Sequence, residues 1–306
     1  MIDSVVKILP PEIKLILDNF DESGKITEIH IRQDEPVELF IGNRGFFSDS
    51  SGTICDKAYA YRATKKDIKA IIEYASEFSP YAYEDEIKNG YLTIQGGNRI
   101  GICGKTIIEN GQIKNIRDIT SLNIRISRNI PGCAEKIIDR LLDENGLVHN
   151  TLIISPPGFG KTTLLKDIIR IISEGSKKFK GMNVGVVDER GELSMGKGLG
   201  LRSDVLINCP KSKGIMMLIR SMSPKVVAVD EIGNEGDEKA ILYSINSGCR
   251  IIATIHAYSI EDYFNKKSVS HLVREGVFKR FVILSDKNGP GSIYGIYNEK
   301  GEKTDA

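Results

Sequence analysis

Tryptophan is absent from this 306-residue chain, and aromatic residues make up only 7% of it. Proteins that hold unpaired bases stack them on exposed aromatic rings, so the composition argues against a single-stranded nucleic-acid platform. An excess of one charge is missing too. Lys and Arg number 42 against 41 Asp and Glu, for a net charge of +1, which leaves no global field to draw the protein onto nucleic acid or anionic lipid. The stretch from Asn265-Lys266-Lys267 to Lys279-Arg280 is the best local basic candidate, and it reads as a solvated helix face. Five cysteines (Cys55, Cys103, Cys133, Cys209, Cys249) are scattered, odd in number and never spaced as CxxC. That pattern excludes a disulfide framework and a zinc ribbon, implies no disulfide partner, and suits a reducing cytoplasm. Apolar runs such as 151–154 and 214–219 fall far short of the roughly 20 residues that span a bilayer. Met1-Ile2-Asp3 leads into no basic segment followed by an apolar run, so no signal peptide is expected. Membrane association, if any, is expected to be peripheral.

What the chain does contain is ordered in two patterns. Pro10-Pro11-Glu12 followed by Ile13, Leu15, Ile16 and Leu17 predicts a short opening helix, with proline tolerated in its first turn. Alternation over 26–32 predicts a half-buried strand, and 37–41 a second strand closed by a turn at Gly42-Asn43. Thr64 caps a helix carrying Ile68, Ile71, Ile72 and Ala75 on one stripe. The strands 91–95 and 99–103 flank Gly96-Gly97-Asn98, a hairpin signal. Together these predict a small α+β domain over 1–125.

Beyond that point the period changes. A helix is expected over 134–144, after which short β-branched runs at 151–154, 184–187, 226–229, 251–254 and 281–284 are separated by helical stretches. Buried runs of four or five apolar residues spaced by helices predict a mostly parallel sheet flanked by helices, an α/β domain over 126–306 that includes a linker at 126–133. Ligands in such sheets bind beyond the carboxyl ends of the strands.

At the first of those strand ends stands Ser155-Pro156-Pro157-Gly158-Phe159-Gly160-Lys161-Thr162-Thr163, then a helix. Glycines let successive N–H groups close around phosphate oxygens, and the helix N-terminus adds partial positive charge. This is a P-loop. Pro157, Gly158, Phe159, Gly160, Lys161, Thr162 and Thr163 are its candidate nucleotide-binding residues, with Lys161 reaching the β- and γ-phosphates and the Thr162 hydroxyl holding Mg²⁺. Ser155 stands where the pattern starts with glycine, a departure expected to weaken binding before chemistry. The strand 226–229 ends in Asp230-Glu231. Asp230 is the second candidate for Mg²⁺, and Glu231 for polarising the attacking water. Glu189, after Asp188 at the end of 184–187, is a rival for that second role. Thr254 and His256, at the next strand end, are placed to hydrogen-bond the γ-phosphate. The expected activity is Mg²⁺-dependent ATP hydrolysis.

These blocks resemble the secretion-type ATPases of type II and type IV systems, a branch of the RecA-like P-loop fold. In that family Asp188-Glu189 matches the Asp box and His256 the His box. The stretches 90–105, 123–137, 156–167, 186–193, 201–233 and 253–257 resemble more narrowly the sporulation branch of the family, in which the ATPase is the presumed motor of a channel joining mother cell and forespore. The resemblance implies a hexameric homo-oligomer. It also implies work with membrane-embedded channel or export subunits, and a peripheral place on the inner, mother-cell face of the membrane. In such rings arginines from a neighbouring domain or subunit complete each site, a role for which Arg125 and Arg128 are the first candidates and Arg202 and Arg220 weaker ones.

An alternative function is a nucleic-acid-dependent RecA-like translocase or RNA-binding ATPase, which needs a basic groove or stacking platform; neither is evident, and nucleic acid is not expected as a partner. A GTPase switch lacks the Asn-Lys-x-Asp element that reads guanine. In the first domain, His30-Ile31-Arg32 and 91–105 either dock a membrane partner or pack on the ATPase domain.

Overall fold

The computed structural model describes residues 3–42, 44–79, 83–94, 96–126, 131–193, 198–287 and 291–304. The chain separates into two compact units, Met1–Arg128 and Asn129–Ala306.

The first unit is a seven-stranded antiparallel sheet with helices on one face. Its strands are β1 (Glu28–Arg32), β2 (Glu38–Ile41), β3 (Arg44–Ser48), β4 (Ile54–Cys55), β5 (Tyr91–Ile94), β6 (Asn98–Glu109) and β7 (Gln112–Arg125), in the order β4-β3-β2-β1-β7-β6-β5. Period-2 alternation decides which face is buried. Ile29 and Ile31 of β1, Ile100 and Ile102 of β6, and Leu122 and Ile124 of β7 point to one side. There they meet Ile13, Ile16 and Leu17 of helix α2 (Pro11–Asn19) and Ile68 and Ile71 of helix α3 (Lys65–Ala75). Two short helices, α1 (Asp3–Val6) and α4 (Glu84–Lys88), complete the layer. Helix α2 starts with proline in its first turn, as its sequence predicts. Helix α3 starts in a full capping box. The Thr64 hydroxyl accepts from the Asp67 N–H, and the Asp67 carboxylate accepts from the Thr64 N–H at 2.7 Å. The hairpin at Gly96-Gly97 forms, pairing Ile94 with Asn98. Of the turn expected at Gly42-Asn43, Gly42 has the left-handed φ of 59°, while Asn43 lies outside the described residues.

The second unit carries β8 (Thr151–Ser155), β9 (Val184–Asp188), β10 (Ser203–Ile207), β11 (Val226–Val229), β12 (Arg250–His256), β13 (Arg280–Ser285) and β14 (Ser292–Tyr297), ordered β10-β9-β11-β12-β8-β13-β14. All neighbours are parallel except β13 and β14. Every residue of β8, β9 and β11 is buried, and alternate residues serve two separate cores. Ile153, Val186 and Ala228 face helix α5 (Lys161–Glu174). Leu152, Val187 and Val229 face the side occupied by α6 (Lys211–Met222) and α7 (Glu235–Asn246), with the short helices α8 (Ile260–Phe264) and α9 (Ser270–Arg274). This is the helix-flanked, mostly parallel sheet that the run spacing predicts.

The helix expected over 134–144 is not an α-helix. Hydrogen-bonded turns over 131–137 lead into a 3₁₀ turn at Ile138–Leu141. Ala134, Ile137, Ile138 and Leu141 are buried as the periodicity implies, but a stripe that short fits bonds of period three as well as of period four. The segment is pinned instead by a tertiary contact, the Ala134 N–H donating to Asp167 Oδ2 at 2.8 Å. Asp167 also accepts from Arg170 Nε at 2.8 Å. Burial, reinforced by Asp167, pushes the neighbouring Cys133 thiol up to about 12.

Candidate active site

The P-loop joins the buried end of β8 to the start of α5. Gly158 and Gly160 have φ of 80° and 86°, a left-handed backbone that L side chains resist. Gly160 is the N-cap residue of α5, and the first turn of a helix leaves N–H groups without intrahelical acceptors. Loop and helix thus present donors and a dipole to one place. Pro157 and Gly158 are exposed, while Phe159 packs against the α5-side core. Thr163 continues α5, and its carbonyl accepts from the Cys133 thiol. Ser155 is fully buried with an ordinary negative φ, so glycine is not required there.

Lys161 is the first residue of α5 and is 5% exposed. Its ammonium donates to the carbonyls of Ser155 and Pro156, both at 2.9 Å, and to His256 Nδ1 at 2.9 Å. Burial lowers its affinity for the proton, and the charges of Asp230 and Glu231 oppose that fall. An ammonium has no acceptor, so Nδ1 of His256 must accept and Nε2 carries the proton. That Nε2–H then donates to Glu231 Oε1 at 2.8 Å. The parallel pairing of β8 with β12, which sets Ser155 opposite His256, brings the histidine within reach.

Asp230 and Glu231 follow β11, two strands away from β8. The Thr162 hydroxyl donates to Asp230 Oδ2 at 2.8 Å, and the Thr254 hydroxyl donates to Asp230 Oδ1. Glu231 has φ of 53°, a left-handed conformation unusual for a side-chain-bearing residue. Its N–H donates to Thr254 Oγ1 at 2.8 Å, which holds the strained turn. Thr254 therefore serves both acids. A hydroxyl and a carboxylate oxygen side by side form a hard-donor pair that suits Mg²⁺. Among the described residues, no cluster of three or more His, Cys, Asp or Glu forms a metal cage.

At the end of β9 the two acids have different partners. Asp188 is 2% exposed, and its two oxygens accept from the N–H groups of Glu192 and Leu193, each at 2.9 Å. It is the closing latch of the 188–193 turn. Glu189 forms an ion pair with Lys211, a buried residue at the start of α6. Three charged residues here escape motif reading. Arg190 lies 2.5 Å from Glu231 Oε2. Lys211 holds Glu189, and the buried Lys166 of α5 lies in the field of Asp188, Glu192 and Asp230. Arg190 carried a weak signal, its place directly after Asp188-Glu189. The other two carried none, since their partners are remote in sequence.

The structure brings together Lys161, Thr162, Asp230, Glu231 and His256, with Glu189 and Arg190 on the neighbouring pocket wall. Arg125 ends β7 in the first unit, mostly exposed and 4.0 Å from Glu28; Arg128 lies outside the described residues. Arg202 donates to the Ser173 carbonyl at 2.8 Å and ties β10 to the end of α5, whereas Arg220 is an exposed residue of α6.

Comparison with known proteins matches this geometry to a fold and a family. The chain superposes on the ATPase DotB of Legionella pneumophila with a TM-score of 0.56 at 16% identity, covering 86% of this chain and 73% of that one. It matches the ADP-bound pilus retraction motor PilT with a TM-score of 0.55 at 13% identity, covering 92% and 77%. At such identities the likeness speaks to the fold alone, which this chain shares with DotB and PilT. Sequence reaches further. Stage III sporulation protein AA of Bacillus subtilis (strain 168) is 39% identical over 307 residues, spanning 98% of this chain and 96% of that protein. The model of the family "Sporulation stage III, protein AA" matches residues 2–304. With the whole length matched, the chain belongs to the stage III sporulation protein AA family.

Proposed function

We propose that this protein is a Mg²⁺-dependent ATPase that drives a secretion-like channel apparatus of sporulation, working as a homo-oligomeric ring. In this reading 1–125 is the domain that couples to the apparatus and 126–306 the domain that hydrolyses ATP. The ring is cytoplasmic, docked on membrane-embedded subunits at the inner face of the mother-cell membrane. No helix among the described residues is long and apolar enough to cross a membrane.

One observation carries the proposal: a continuous polar chain from the P-loop lysine through His256 to Glu231, beside the Thr162–Asp230 pair. The loop N–H groups and Lys161 bind and orient the phosphates. Thr162 and Asp230 would hold Mg²⁺, which would supply charge neutralisation to the bound phosphates. Glu231 polarises the attacking water, in preference to Glu189, because it follows Asp230 directly and is joined to the P-loop lysine through His256. His256 touches Lys161 and Glu231 at once and links the state of the phosphates to the base. Arginines from a neighbour, Arg125 and Arg128 first among them, add the positive charge that phosphoryl transfer gains from.

Purified protein is expected to hydrolyse ATP slowly when Mg²⁺ is supplied. Lys161→Ala and Glu231→Gln are each expected to reduce turnover by about 100-fold or more, the second with nucleotide binding retained. Ordinary turnover by Lys161→Ala protein rules the reading out.

A further inference from the structure

The Glu231 carboxylate is held from two sides by groups that reach it from different strands. On Oε1 it meets the Nε2–H of His256, at the end of β12. On Oε2 it meets the guanidinium of Arg190, two residues past the end of β9. A carboxylate with one partner keeps a torsional freedom about its terminal bond, which is broad and roughly two-fold. Two partners on opposite oxygens remove it. The backbone is fixed as well, because the left-handed Glu231 turn is tied to Thr254. Arg190 is itself 58% exposed at its side chain, and it borders the pocket containing Asp230 and Glu231 rather than the core. Its role is therefore not to support the fold.

From this geometry we infer that Arg190 is a positioning residue for ATP hydrolysis: it fixes the orientation of the Glu231 carboxylate against the attacking water. The inference rests on the ATPase reading given above and assigns a role to Arg190, whose side chain reaches the base from the 188–193 turn. It also explains the tight closure of that turn. Asp188 latches the backbone at Glu192 and Leu193 and so holds Arg190 over the base. A group that orients the base acts on the chemical step and contributes little to nucleotide affinity.

Steady-state hydrolysis by the full-length protein separates the possibilities. Arg190→Ala is expected to lower kcat about 10-fold with KM for ATP changed less than about two-fold. Arg190→Lys, which keeps the charge on a reach similar in length, is expected to recover part of the loss. In a Glu231→Gln background, where no base remains to be oriented, adding Arg190→Ala is expected to change nothing further. A kcat for Arg190→Ala equal to that of the unaltered protein overturns the inference, as does a fall in kcat fully additive with Glu231→Gln. A loss seen wholly in KM also overturns it and makes Arg190 a phosphate-binding group. The ATPase reading is judged separately, by whether the unaltered protein hydrolyses ATP and Glu231→Gln does not. If both hold and Arg190→Ala is silent, only the role of Arg190 fails.

Discussion

Asp188 shows how much a single buried acid can organise. With 2% exposure and both oxygens accepting backbone N–H groups, it closes the turn that carries Glu189 and Arg190 toward the site. Removing it leaves two N–H donors without that acceptor and removes a negative charge from the field of the buried Lys166. Asp188→Ala is thus expected to cost about 2–4 kcal/mol. For a unit of this size that corresponds to a fall of roughly 5–15 °C in the unfolding midpoint, readable by calorimetry. Asp188→Asn, which keeps one acceptor oxygen, is expected to cost less. An unchanged midpoint in the alanine variant removes the latch from the account. The local motifs were legible at this scale because a P-loop is contiguous in sequence, as is an apolar strand ending in two acids. The partners Lys211 and Arg190 were not, since which charge meets Glu189 or Glu231 depends on the crossover order of five strands. The sequence marks Asp188 only as the acid before Glu189, because its place in the turn depends on two backbone donors that no side-chain pattern reveals.

Among the elements, helix α3 offers the cleanest local test. Thr64 and Asp67 exchange hydrogen bonds across its first turn, and the Thr64 and Tyr61 hydroxyls also donate to the Asp67 carboxylate, at 2.8 and 3.0 Å. Thr64→Ala is expected to destabilise the first unit by about 1–2 kcal/mol, measured as a shift in the denaturant midpoint with unchanged slope. Thr64→Ser is expected to be near neutral. Central strands were readable because both faces are buried, so their residues run apolar without alternation, as 226–229 does. The edges were not. β10 is only partly buried along its length and β14 pairs antiparallel on the far side, so neither shows a continuous apolar run. The 134–144 segment failed for the opposite reason: its apolar stripe is real, but turns and an anchoring carboxylate, not α-helical bonds, satisfy its backbone.

At the scale of the whole molecule, three of the exposed apolar side chains lie by one edge of the second sheet. Leu201 is 85% exposed, Met217 53% and Ile207 46%. Ile207 ends β10 and the other two lie near it, and among the described residues the outer side of β10 has no strand neighbour. An open edge with apolar residues beside it invites a partner, and the proposed ring supplies one. Size-exclusion chromatography with light scattering is expected to show a larger species when a non-hydrolysable ATP analogue and Mg²⁺ are present. Leu201→Glu is expected to shift that population back toward the monomer with no change in unfolding midpoint. A monomer under every condition speaks against the ring.

The strand order carries one more consequence. β8 bears the P-loop and is the first strand of its unit in the chain, yet both its neighbours, β12 and β13, lie about a hundred residues downstream. On the ribosome, β8 emerges long before either of them exists, and its apolar residues and ladder groups wait unpaired while β9, β10 and β11 are made. Non-local pairing of this kind slows folding and leaves sticky surface exposed. The nucleotide loop is seated only when synthesis of the unit is nearly finished, so a nascent chain gains its ability to grip phosphate late and all at once.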